Sequence, residues 1–140
     1  MRALHGVHAL LILSFLILLP SKTLFNVSML ALAAAGLAVL GTVRRDVWLR
    51  GHVKQICVVF ALLWVPMLVS VLTAVDPLHA LESVVIYPRF LLATIFILYA
   101  LRNAVVRRWV ALGAFALGVF WALDALFQFV VGFDVLGYPF

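Results

Sequence analysis

Charge is the scarcest thing in this chain. Asp, Glu, Lys and Arg make up 11% of its 140 residues, and only five residues are acidic, against about a quarter charged in ordinary soluble domains. With 68% hydrophobic residues and a mean hydropathy of +1.28, no soluble fold could hide so much apolar surface. Cysteine is as sparse: Cys57 stands alone inside an apolar run, which excludes an intrachain disulfide and a Cys-based metal cluster. A nucleotide-binding glycine loop, H-E-x-x-H, G-x-S-x-G and a close carboxylate pair in an aqueous loop are all missing, so the familiar hydrolase and nucleotide-enzyme signatures are excluded.

What remains is a series of uncharged stretches of membrane-spanning length. Nineteen residues separate Arg2 from Lys22, 21 separate Lys22 from Arg44, and 21 separate Lys54 from Asp76. At about 1.5 Å per helical residue, each reaches across a hydrocarbon core about 30 Å thick. Only 12 residues lie between Arg89 and Arg102, so a fourth helix must take in Arg89; a fifth runs from Trp109 to Phe133 with Asp124 inside it. The expected fold is all-α: one transmembrane domain over residues 1–140, a polytopic helix bundle of about five spans. Arg2 followed by residues 9–19 has the outline of a signal peptide, but no A-x-A-like site follows Pro20, and the segment reads as a retained first helix.

Assigning the loops alternately puts Arg2, Arg44, Arg45, Arg50, Lys54, Arg102, Arg107 and Arg108 on one side, and Lys22 and Arg89 on the other. The positive-inside rule makes the first side cytoplasmic. The N-terminus is then cytoplasmic and the C-terminus periplasmic, in a bacterial inner membrane. The net charge of +5 and the pI near 10.2 are thereby read as topology. A nucleic-acid partner, which would need a basic water-facing patch, is not expected.

Two local patterns predict more. Asp76-Pro77 is an N-cap and first-turn pair, followed by Leu78, Leu81 and Val85 at helical spacing. This predicts a short amphipathic helix on the periplasmic interface, ended where Pro88 disfavours helix at Tyr87. Small residues at Ala31, Ala33, Ala34, Ala35, Gly36 and Ala38, and again at Gly113, Ala114 and Gly118, predict that the second and fifth spans lie inside the bundle.

Arg89 is the most informative candidate. It lies 13 residues up the helix from Arg102, and Asp124 lies 16 from Arg108, so both sit about 20–24 Å above the cytoplasmic boundary. One reading has both side chains snorkelling to the periplasmic headgroups. The other has Arg89 facing a cavity open to the outer leaflet and holding an anionic headgroup, with Pro66 kinking the third helix at a similar level to open space. His5 and His8 share a helix face, but without Asp, Glu or Cys nearby they read as packing residues, not as a metal site; His52 reads as solvated among arginines.

The run Asp124-Ala-Leu-Phe-Gln128-Phe-Val-Val-Gly132-Phe-Asp134-Val-Leu-Gly137-Tyr-Pro139 resembles a stretch of the O-antigen ligase and polymerase family, where a helix ends in Q-x-x-x-G-x-D-x-x-G. Leu-Val-Ser70-Val-Leu-Thr-Ala-Val-Asp76-Pro77, with Arg89 opening the next helix, is similar to the same family. The resemblance implies a glycan transferred from an undecaprenyl-pyrophosphate carrier in lipopolysaccharide O-antigen assembly, with no metal or other cofactor. It also implies that Arg89 helps hold the carrier pyrophosphate, with Asp124, Gln128 and Asp76 as supporting polar residues. The family has about twice as many spans and a large periplasmic loop carrying its catalytic residues. The chain is therefore expected to be an N-terminal portion that contributes lipid binding and no catalytic residue, partnered by a C-terminal half or another membrane subunit. The alternative is a small structural or regulatory membrane protein that assembles with a larger membrane partner.

Overall fold

The computed structural model describes residues 2–19 and 21–131. They form an all-α bundle without strands: α1 Arg2–Ile17, α2 Lys22–Arg45, α3 Val47–Ser70 continued by a 3₁₀ turn Val71–Thr73, α4 Pro77–Ile86, α5 Pro88–Leu101 and α6 Ala104–Val131. Four stretches are long and apolar enough to cross a membrane, at Thr23–Val43, Val47–Thr73, Pro77–Leu101 and Ala104–Val131. The chain is a helical membrane protein.

The first of the five expected spans falls short. At 16 residues, α1 rises only about 24 Å, because the chain turns after Ile17 and the Ser21 side chain accepts the Leu24 N–H to start α2. The fourth is longer than its uncharged core because α4 and α5 run on as one interrupted helix. Alone, the 14 residues of α5 rise only about 21 Å.

Connections are tight and capped by side chains. Asp46 is a one-residue elbow: its N–H closes α2 on the Thr42 carbonyl, and its carboxylate opens α3 by accepting the Leu49 N–H at 3.0 Å. Asn103 opens α6 by accepting the N–H groups of Val105 and Val106. Asp76 accepts the His79 N–H, with Pro77 in the first turn of α4, as its sequence predicts.

The closest helix pair is α2 with α5. Ala93, Phe96 and Ala100 on α5, spaced to share a face, pack with Met29 and Leu32 of α2 and Ala9 and Ile12 of α1. Ile95 joins Val43, Leu49 and Val53 at the α2–α3 end. Gly36 is what permits the approach, since a Cβ there would run into the Leu92 backbone, with the carbonyl carbon at 2.7 Å. Small residues thus place α2 inside, as expected. They do not place α6 inside: Gly113 meets only Leu13 side-chain atoms, Gly118 has open space around it, and most of the helix is exposed. Small residues allow close approach but do not compel it.

The joint between α4 and α5 departs from expectation. Tyr87 keeps helical angles, φ −59 and ψ −35, although the residue before a proline is biased toward extended conformations. The lost bond is elsewhere: Pro88 has no N–H for the Val84 carbonyl one turn back. That carbonyl accepts the Tyr87 N–H at 3.3 Å and, in addition, the Trp64 indole N–H from α3 at 2.9 Å, and the second bond fastens α4 along α3. The residue α4 buries is Val84, at 4% exposure, while Leu78, Leu81 and Val85 point outward. An outward apolar stripe is stable against lipid tails.

Candidate functional site

Arg89 stands in the first turn of α5, fixed there by Pro88 at the helix start. It lines a cavity of about 430 Å³ between α2 and the α4–α5 joint, with Leu30, Ala33, Ala34, Leu37, Val85, Ile86 and Leu92. Among the described residues of that lining, Arg89 alone is charged. Its guanidinium carbon lies 5.3 Å from the Phe90 ring centroid, within reach of a cation–π contact. Its Nε is buried and has no hydrogen-bond partner. A buried donor left unmade costs about 1–3 kcal/mol, more when charged.

The other sequence-derived candidates are not gathered here. Asp124 is buried at 8% exposure on α6 and Gln128 is half-buried one turn further on; neither lines the Arg89 cavity, so equal depth did not bring Arg89 and Asp124 to one chamber. Asp76 is exposed and occupied as the α4 cap. Pro66 lies within α3, which contributes no residue to the cavity lining. The Gly132, Asp134, Gly137 and Pro139 positions of the family-like run lie outside the described residues. Protein-family models, curated proteins and solved structures contain no match to the chain.

A second polar group lies at the arginine-rich end, and the sequence did not point to it. Arg102 Nη1 meets Asp46 Oδ2 at 2.5 Å across 56 residues, and its guanidinium also lies over the Trp48 ring. The Leu49 N–H, and then Arg102, hold the Asp46 carboxyl below its ordinary 3.8. His52, expected to be solvated, stacks on Trp48 at 4.0 Å and meets the Trp48 carbonyl through Nδ1. His8 stands edge-on to Phe96 and Tyr99. The Asn103 amide meets His5 Nε2 at 2.9 Å; because the amide oxygen caps α6, its NH₂ must donate and Nε2 must accept. These contacts fasten α1, α3 and α6 to the α5 end. The N-cap role of Asp46 was legible from an Asp ahead of an apolar run; its partner was not.

Proposed function

We propose that the chain is a lipid-binding membrane component of bacterial surface-polysaccharide assembly, and that Arg89 holds the pyrophosphate of an undecaprenyl-linked glycan. Arg89, the one charged residue among the described lining of an otherwise apolar cavity and one whose buried Nε has no hydrogen-bond partner, is the observation that carries this reading. A guanidinium can meet two phosphate oxygens side by side, while Leu30, Ala33, Ala34 and Leu37 offer an apolar path for an isoprenoid tail. The likeness of residues 68–77 and 124–139 to the O-antigen ligase and polymerase family supports the same ligand, and the positive-inside distribution supports a bacterial inner membrane with Arg89 toward the periplasm.

The test is binding of undecaprenyl pyrophosphate to the purified protein, followed by native mass spectrometry or lipid competition. Arg89→Ala is expected to weaken binding on the order of tenfold or more, as for loss of a charge-assisted, partly desolvated contact. Arg107→Ala, with a side chain exposed at the other end, removes only a diffuse attraction of about 1 kcal/mol. Equal losses would overturn the assignment. The open surface at Gly118 on α6 favours a second reading, a structural membrane protein that docks a larger partner there; it predicts that Gly118→Leu disrupts co-purification of that partner while Arg89→Ala does not.

A further inference from the structure

We propose that α4 is a hinged wall of the Arg89 cavity and that Trp64 is the positioning residue that latches it shut. The observations are independent of any ligand. Val85 and Ile86 of α4 form one side of the cavity, and α2 forms the other. The backbone between them and Arg89 carries the one break in the α4–α5 run, at Tyr87–Pro88. At that break Pro88 removes the donor four residues on from the Val84 carbonyl, which keeps only the tighter backbone bond from the Tyr87 N–H at 3.3 Å, so the joint lacks a full helical rung and is a place to bend. The Trp64 indole N–H adds a second, shorter bond to the same carbonyl from a different helix, at 2.9 Å, and Phe60 stacked on Trp64 steadies the ring. The Tyr87 bond lies within the joint, whereas the bond from α3 sets where α4 stands. Releasing it lets α4 swing from α3 and widens the cavity on the Val85 and Ile86 side, the route by which an amphiphile with a phosphate head reaches Arg89. That last step rests on the lipid-binding reading above; the latch does not.

The test uses the full chain in nanodiscs, with Cys57→Ser to remove the native thiol and spin labels on Gln55→Cys and Glu82→Cys, both exposed positions on α3 and α4. Pulsed electron paramagnetic resonance then reads the α3–α4 distance without ligand. Trp64→Phe keeps the aromatic ring and loses only the N–H. It should raise the open-to-closed ratio on the order of tenfold, the scale of one hydrogen bond, seen as a second, longer distance. Pro88→Ala restores the N–H to residue 88, so Pro88→Ala alone should stay closed and Trp64→Phe combined with Pro88→Ala should stay closed as well. Loss of ring packing alone would not give that rescue. An unchanged distance in Trp64→Phe, or a double variant as open as Trp64→Phe, overturns the latch. Failure of Arg89→Ala to weaken lipid binding would instead overturn the ligand reading and leave the distance result standing.

Discussion

The inner pair, α2 with the α4–α5 run, and the outer pair, α3 and α6, are alike in the property that put them in the membrane and unlike in where that property is spent. Mean hydropathy is 2.0 for α2, for Pro77–Leu101 and for α6, and 2.5 for α3. The inner elements bury Met29, Leu32, Ala33, Val84, Ala93, Ile95, Phe96 and Ala100, whereas α3 buries Leu49 and Val53 and α6 buries Val106 and Asp124, all but Asp124 toward the helix starts. Apolarity therefore tells which segments leave water, and nothing about which of them meet each other. Lipid tails solvate Leu and Phe as well as a protein interior does. Packing against backbone decides the rest: Gly36 lets α2 meet the Leu92 backbone, while Gly118 on α6 meets nothing.

The largest expected effect comes from emptying the inner pair. Phe96→Ala, at 2% exposure, should destabilise the bundle by about 3 kcal/mol, the range for an aromatic removed from a packed core. Phe115→Ala on α6, at 73% exposure, should change stability by no more than about 0.5 kcal/mol. Denaturant-driven unfolding in detergent micelles checks both. Equal effects would mean that the inner and outer helices do not differ in packing at all.

Overfilling comes next. Gly36→Ala should cost about 1–3 kcal/mol, since the new methyl meets the Leu92 backbone rather than a side chain that can rotate away. Gly118→Ala should be neutral or gain up to about 1 kcal/mol from helix propensity. A thermal-melt comparison of the two variants sharpens the contrast, because the same substitution carries opposite signs on the two helices.

The smallest effect tests what ties the outer helices to the inner pair at the arginine-rich end. Asp46→Asn should lower the melting temperature slightly at neutral pH by losing the Arg102 ion pair while keeping an N-cap. The folded carboxyl titrates below the ordinary 3.8, so its stabilisation is complete above that value and is lost as pH falls through the lowered one. The gap in melting temperature between the native protein and the Asp46→Asn variant should therefore close in acid and persist at neutral pH. A gap that widens in acid would refute the assignment.

Much of the architecture was legible before any coordinates. Counts of uncharged residues located the apolar middles of α2, α3 and α6, though not the starts of α3 and α6, and made a span of α1, which is too short; Asp76-Pro77 located the start of α4, and the need to take Arg89 into a helix followed from the 12 residues left between it and Arg102. The inferences that succeed do so because they concern one segment and its solvent. Arg89 stood out for the same reason, since a charge in an apolar run is conspicuous whatever surrounds it. Similar depth alone did not tell that Arg89 lines a cavity while Asp124 lies elsewhere on α6, because depth is one coordinate and the azimuth of each helix is set by its neighbours. Pro66 lies on a helix that lines none of the cavity, which is bounded by α2 and the α4–α5 joint.

The sequence by itself determined that this chain is helical and leaves water, where α4 begins, and which ionisable residues sit in apolar runs, because each of these depends on local composition and capping. Only the tertiary structure decided that α2 and α5 are the inner pair, that Asp46 answers Arg102 across 56 residues, and that Trp64 of α3 bonds the Val84 carbonyl. Those depend on which helix faces turn toward one another. In a chain that is apolar on nearly every face, hydrophobicity cannot choose among them, and close backbone approach and a few polar contacts do.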